Sequence, residues 1–556
     1  MALIAIVFLG FLAVGYKLYG RYVASKYNLD DSKITPAVKI NDGVDYAPAK
    51  RFYLLAQHFS AIAAAGPIVG PIAACLQFGW IPCLLWIGLG VVFIGAVHDF
   101  SSLIASVRHE GRSIAEIVRQ RLGSRAWIFM MIFIWLALIY VICAFADVTA
   151  STFVGKNEEL PGSTAKFNAG GAVAAASTAY LLLAIIMGFV ERKLSPPLWL
   201  NTLIFVPATL GAVWLGTQIS TWLLLPATVW AVIILAYCFI ASLLPVWMLL
   251  QPRGYLGGFV LYLALAIGII GIFFGGFEIQ QKPFITYHAP GLTGALFPFL
   301  FVTIACGACS GFHGLVASGT TSKQISCESH CKPVGYGGML LEAFVALIAM
   351  ATVMLFAPES LKGLSPGTIY GQGIGRFLAV IIGEENLKFA ITFGLMAFST
   401  FIFDTLDVGT RLGRYILQEL LGLRDRKGAI LATLLTVIPP TILLLVAGSG
   451  TYRLFWTLFG TSNQLLAALS LLAVTIWLKQ SKRPFLFTFI PMLFVMAITI
   501  WALILQASWA FKQKLELNAT MLNGIVSIVL ILLALMLIVE AIRTNFIRPR
   551  LTAETA

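Results

Sequence analysis

Three stretches of this 556-residue chain, residues 52–98, 194–252 and 283–322, contain no Asp, Glu, Lys or Arg. Each is longer than the roughly 20 apolar residues that one helical bilayer crossing needs. Soluble domains carry about a quarter charged residues, whereas here 11% are charged and 59% hydrophobic. Lipid is the solvent that fits, and a soluble enzyme is excluded before any motif is read.

A net charge of +13 would suggest nucleic acid in a soluble domain, but a nucleic-acid binder needs a basic stripe on a water-facing surface. Here the basic residues fall between apolar runs, as cytoplasmic loops do. Hydropathy predicts an all-α polytopic membrane protein of about fifteen transmembrane helices. They fall at Met1 to about Tyr16 and near 54–77, 82–107, 126–153, 170–190, 198–217, 222–250 and 255–277. The rest fall near 294–317, 337–357, 389–410, 428–447, 455–478, 485–508 and 523–542.

The positive-inside rule tests that register independently, because one missed span would reverse every later loop. Inside loops then hold Arg108, Arg112, Arg119, Arg121 and Arg125; Arg192 and Lys193; Arg253; Lys323 and Lys332. The same side holds Arg411, Arg414, Arg424, Arg426, Lys427, Lys479, Lys482, Arg483, Arg543, Arg548 and Arg550. Outside loops pair Lys156 and Lys166 with Glu158 and Glu159, and Arg376 and Lys388 with Glu384 and Glu385. The N-terminus is expected outside and the C-terminus in the cytoplasm. Within one inside loop, Ile114, Ile117, Val118 and Leu122 follow helical spacing, the pattern of a helix lying on the anionic leaflet or of an ordinary loop helix.

Most of the eight cysteines lie in or beside apolar segments, where Cys is a small hydrophobe. Cys306-x2-Cys309 followed by Cys327-x3-Cys331 with His330 imitates a zinc-ribbon spacing. The first pair lies in a span and the second in a polar loop, about 25 Å apart if the segment between is helical. The four cysteines therefore do not form one metal site. Whether Cys327, His330 and Cys331 hold a metal is left open.

Two spans are interrupted. Residues 54–77 carry Gly66, Pro67, Gly70 and Pro71, and residues 294–317 carry Gly307, Ala308, Cys309, Ser310, Gly311 and His313. Proline removes an amide donor and blocks a hydrogen bond one turn back. Backbone opened in this way persists at membrane depth only where it is buried in protein or lines a cavity. The two spans run in opposite directions, the pattern that marks a transporter's central site. Half-helices starting near Gly66 to Gly70 and near Gly311 are expected to aim free amides at an anion such as a carboxylate. Small residues are also enriched where membrane helices pack closely.

Ionisable groups inside spans are Asp99, Asp147, Glu342, Asp404, Asp407, His58, His98 and His313. Such groups usually face the bundle interior and often work there. Asp407 has Arg411 one turn on, which suggests a structural pair. Asp147 and Glu342 fall near span ends, where water is expected. Asp99 beside His98, and Asp404 beside Thr405, lie deeper and lack a local partner. They are candidates for proton relay or for buried hydrogen-bonded structure. His58 and His313 flank the breaks and are candidates for binding a carboxylate or carrying a proton.

Several stretches resemble one family. They are Asn41 to Tyr46, HFSAIAAAGPIVGPIAA from His58, GAVHDF from Gly95, LLPVWMLLQPRGYL from Leu243, FLFVTIACGACSGFHGLVASGTTSKQ from Phe299, GYGGMLLE from Gly335 and TLDVGTRLGRYILQE from Thr405. The chain resembles the carbon starvation protein A family of bacterial peptide and pyruvate transporters, related to the amino acid/polyamine/organocation superfamily. The resemblance implies a multi-pass protein of the bacterial cytoplasmic (inner) membrane with a leucine-transporter-like core of two inverted repeats, at 54–217 and 294–478. Around them would lie an extra helix at 1–20, a basic cytoplasmic loop at 21–53, two extra helices in 218–293, and two C-terminal helices with a tail in 479–556.

By position, the resemblance puts substrate at Gly66, Pro67, Gly70, Gly307, Ala308, Ser310, Gly311 and His313. Ser399, Thr400 and Asp404 would stand near a coupling-ion site, beside the coupling candidates His58, His98 and Asp99. His98 stands where the family often has Gln, and Cys309 where it often has a small apolar residue. The expected activity is proton-coupled import of a small carboxylate or short peptide, with no cofactor, no nucleic-acid partner and no enzymatic step. Sodium coupling is the alternative within that class, and a receptor or channel for small carboxylates the alternative outside it.

Overall fold

In the computed structural model the first apolar run outlasts its predicted end. Helix α1 (Ala2–Lys17) continues past Leu18 into α2 (Tyr19–Tyr27), so the crossing reaches Tyr27 and not Tyr16. The buried Tyr27 ring holds this polar turn in place by meeting Phe100 and Phe487 edge-on. The structure describes residues 1–42, 46–63, 65–155, 157–158, 167–423, 425–448, 452–513 and 518–544. Gly43, Asp45, Lys156, Glu159, Lys166, Arg424, Arg548 and Arg550 lie outside the described residues.

A short helix α3 (Pro36–Ile40) precedes the first broken span, which is α4 (Arg51–Ile62) and α5 (Gly66–Phe78) bent by 50°. Next come α6 (Trp80–Gly90), a π-helical turn at Val91–Gly95, α7 (Ala96–Arg108), the surface helix α8 (Ile114–Leu122) and α9 (Ser124–Thr152). A two-stranded ribbon, β1 (Asn157–Glu158) with β2 (Phe167–Asn168), leads to α10 (Ala169–Leu194), α11 (Leu198–Gln218), α12 (Ala227–Leu243) and α13 (Leu250–Phe274).

The second broken span is α14 (Leu296–Thr303) and α15 (Gly311–Gly319). After a π-helical turn at Lys332–Tyr336 come α16 (Gly337–Met354), α17 (Pro366–Ile382), α18 (Leu387–Leu421) and α19 (Arg426–Ala447). The chain closes with α20 (Tyr452–Gln480), α21 (Leu486–Lys512) and α22 (Ala519–Ile542). Among the described residues twelve helices are long and apolar enough to cross a membrane, and the bent α4–α5 pair makes thirteen. The expected count of about fifteen included α12, at 17 residues, and the α14–α15 pair, at 8 and 9 residues, which fall short of a crossing by length.

Packing is reciprocal. The first broken span lies on α16 through α5, and the second lies on α7 through α15. Between them α9 packs along α18, each carrying a surface helix, α8 on α9 and α17 on α18. Burial separates an inner ring from a lipid-facing one. In α20, 94% of the apolar window is buried, against 28% in α11 and 33% in α22.

The apolar face of α8, with Ile114, Ile117, Val118 and Leu122, is buried against α9 and α20, so it does not lie on lipid. Helix α17 falls in a stretch read as loop. Its signal was a small-residue stripe, Gly367, Gly371 and Gly375, whose close approach to Phe398, Leu395 and Ile391 of α18 leaves no room for side chains.

Candidate functional site

The two breaks pack against each other. A Cβ on Gly66 would overlap Cys306, and one on Gly70 would overlap the Thr303 carbonyl oxygen. Gly307 stands beside Ala346 and Pro67, and Ala308 fits under Gly90 and Gly95. Gly70 meets the backbone of Thr303 and Ile304, and Gly66 meets the Cys306 side chain, so neither position has room for a side chain. The exposed ends of the second break are capped by side chains. Thr303 O accepts from Trp456 Nε1 at 3.1 Å, Ile304 O from Trp86 Nε1 at 3.2 Å, and Phe301 O from Gln464 Nε2 at 2.9 Å.

One of the amides expected to be free at the start of α15 is engaged within the protein. Asn463 on α20 accepts from Phe312 N at 2.9 Å through Oδ1, and its Nδ2 donates to Ser310 Oγ at 3.0 Å and to Cys306 Sγ at 3.3 Å. Gly311 lies flat on the Asn463 carbonyl. Asn463 thus ties Cys306 and Ser310 to the first turn of α15.

Just beyond the break lies a buried chain of ionisable groups. His98 Nδ1 is hydrogen-bonded to Asp99 Oδ1 at 2.7 Å, and His313 Nδ1 to Asp99 Oδ2 at 2.9 Å. His313 Nε2 then stands 3.2 Å from Glu342 Oε2. Accessibility is 0–1% for all four side chains. Glu342 is therefore not near water as its position near a span end suggested, because α16 continues past it into the packed interior. Asp147 is buried as well.

Hydrogen-bond logic constrains the protonation of this group. If Asp99 is ionised and accepts from His313 Nδ1, a neutral ring faces Glu342 with a lone pair. Two lone pairs at this distance repel, so the arrangement favours an imidazolium or a protonated Glu342, whose two carboxyl oxygens have no hydrogen-bond partner among the described residues. Nearby, His58 on α4 bonds Thr321 at 2.9 Å, and Nε2 of His58 and of His98 has no hydrogen-bond partner among the described residues. The π-turn at Val91–Gly95 ends just before His98, in keeping with the frequent placement of such bulges at functional positions.

The remaining coupling candidates stand elsewhere. Asp404 does have a partner, remote in sequence: Arg253 Nη2 on α13, at 2.6 Å. Arg253 Nη1 lies 2.6 Å from Asp407 Oδ2, which also accepts from the Tyr237 hydroxyl at 2.8 Å. Arg411 is thus not the partner of Asp407. It donates to the carbonyls of Ala241 and Leu244 instead, while Arg414 donates to that of Ser242. Arg253, read as a loop cation, is fully buried. Ser399 bonds Ser177 of α10 at 2.7 Å, and Thr400 lies beside Gly257 of α13. Ser399, Thr400 and Asp404 thus share the α10–α13–α18 interface, and His58, His98, Asp99 and His313 share the break.

Cys327 Sγ lies 3.8 Å from His330 Nε2. Among the described residues no group of three or more His, Cys, Asp or Glu is arranged to hold a metal.

The model of the family described as carbon starvation protein CstA matches residues 1–371 and 357–502. The chain belongs to the carbon starvation protein CstA family. Within it, the chain is 33% identical to the peptide transporter CstA of Helicobacter pylori, over 89% of this chain and 80% of that one. It is 31% identical to the peptide transporter CstA of Bacillus subtilis, over 96% and 95%. It is 30% identical to the pyruvate/proton symporter BtsT of Escherichia coli, over 88% and 79%. These relatives are named as transporters, and with its apolar helices the chain is a multi-pass membrane transporter and not an enzyme. Among solved structures, the manganese transporter of Eremococcus coleocola in complex with an aromatic bis-isothiourea substituted compound aligns with a TM-score of 0.43 and 13% identity, over 90% of this chain and 98% of that one.

Proposed function

We propose that this CstA-family protein imports a small carboxylate such as pyruvate, or a short peptide, across the bacterial cytoplasmic membrane by proton symport with alternating access. The close approach of His313 to both Asp99 and Glu342 carries this reading, because His313 is part of the broken span itself. A group that gains or loses a proton there alters the charge balance that clamps α15 to α7 and α16. Tilting α15 separates His313 from Asp99 or from Glu342, which couples protonation to the position of the break. An uncompensated buried charge costs several kcal/mol, enough to forbid empty-handed movement. One proton moving down about 100 mV supplies about 2.3 kcal/mol, or roughly 50-fold accumulation of a neutral solute.

The repeats at 54–217 and 294–478 are the moving halves in this proposal. The arginine-rich loops face the cytoplasm, the N-terminus lies outside and the C-terminus inside. Support for the cargo comes from relatives named for peptides and for pyruvate with protons. The test is uptake of labelled pyruvate and of dialanine into proteoliposomes under an imposed pH gradient, with sodium replaced by choline. Uptake is expected to rise with the gradient and to ignore the choline exchange. Uptake that needs sodium and ignores pH would move the coupling elsewhere, and a unitary conductance in a planar bilayer would make the protein a channel.

A further inference from the structure

A cavity of ≈ 580 Å³ opens between α5, the non-helical segment before α14 and the first turns of α20. Its floor includes Thr303, the last residue of α14, so it ends at the rim of the second break. Ala73, Leu76 and Ile285 give it an apolar wall. It lies on the face opposite the basic loops, because Tyr452 starts and Lys479 nearly ends the same 29-residue helix.

Arg453 lines this cavity. Its Nε donates to the Tyr452 hydroxyl at 3.2 Å, which orients the guanidinium plane. Both terminal nitrogens are left without a protein acceptor among the described residues. A planar pair of free N–H groups matches a carboxylate bidentately. The positive end of the α20 dipole lies on the same side.

Among the described residues no Asp or Glu lines the cavity. The adjoining residues 449–451, outside the described set, are Ser, Gly and Thr. The Thr303 carbonyl is engaged by Trp456 at 3.1 Å and the Thr293 carbonyl by Gln77 at 2.5 Å. An ammonium group seated here would find a guanidinium and no compensating anion. The volume accepts pyruvate and a dipeptide alike, so charge makes the choice.

We infer that this cavity is the entry site for carboxylates lacking a nearby ammonium group, with Arg453 as its specificity-determining residue. The inference rests on the transport reading and narrows it from carboxylate or peptide to net-anionic monocarboxylates. Zwitterionic dipeptides are rejected at the mouth, before the break is reached.

The test is equilibrium binding to the purified full-length chain in nanodiscs, using pyruvate, dialanine and N-acetyl-dialanine as probes. The last two differ in the ammonium group and little in size. Wild-type protein is expected to bind pyruvate, and to bind N-acetyl-dialanine at least tenfold more tightly than dialanine. R453Q should lose at least tenfold for both anions and little for dialanine, and R453K should fall between. An unchanged melting temperature in R453Q and R453K shows that folding is not the cause. If dialanine binds as well as its acetylated form, or R453Q binds as the wild type does, the inference is overturned and carboxylate transport survives. If the wild type binds none of the three, the transport reading falls first.

Discussion

Two buried groups in this transporter are built from the same parts and do different work. Each sets two carboxylates against one base: Asp99 and Glu342 around His313, and Asp404 and Asp407 around Arg253. The base makes the difference. A guanidinium stays charged at any pH a cell meets, so the Arg253 group has one state and serves as a tie between α13 and α18. An imidazole can gain or lose a proton, so the His313 group can be switched. Buried carboxylate pairs in a membrane protein are therefore told apart by what they face.

The strongest challenge to that contrast is Arg253→Met, which strands the buried Asp407 and the part-exposed Asp404 and should cost about 3–5 kcal/mol. It is expected to leave little folded protein by size-exclusion profile in detergent, while Arg253→Lys recovers part of it. Folded, active Arg253→Met protein would remove the distinction.

On the other side, Glu342→Gln should leave the melting temperature nearly unchanged, cut gradient-driven uptake at least tenfold and spare substrate exchange at equal pH. Asp99→Asn should lose both, because it releases two imidazoles at once. If both variants lost only stability, the His313 group would be a second tie.

A smaller effect probes the hinge that presents His313. Gly66→Ala drives a methyl into Cys306, an overpacking that costs about 1–3 kcal/mol. Cys306→Gly in the same chain should return most of it, read as the melting temperatures of the two single variants and the double one.

The mildest prediction lies outside the membrane. Asp31 is held below the usual carboxylate range by hydrogen bonds from Ser329, side chain first and then backbone. Its contribution is present above the ordinary carboxylate value and disappears as pH falls through the lowered one. Asp31→Asn should melt slightly below wild type at pH 7, with the gap closing on acidification.

The places where the two spans break were legible, because Gly-Pro pairs and a Gly-Ser-Gly run within apolar sequence have few other uses. The membrane class followed from missing charge alone. What filled the breaks was not legible. Asn463 is an ordinary polar residue in an apolar helix, and its role exists only once α20 lies across α15. Glu342 looked peripheral because linear position was taken as depth, and the deep π-turn preceding α16 was invisible to hydropathy. Arg253 and Asp404 lie 151 residues apart, so an Asp with no nearby base seemed free when it was paired.

The Asn463 carboxamide touches two residues within the gap, Cys306 and Ser310, and one in the helix after it, Phe312. The gap cannot widen or straighten while that grip lasts, and the grip belongs to the most deeply buried long helix. On the proposed transport cycle, movement of the break would either drag α20 along or unfasten this one side chain, which would make Asn463 the clutch between the broken span and the rigid frame.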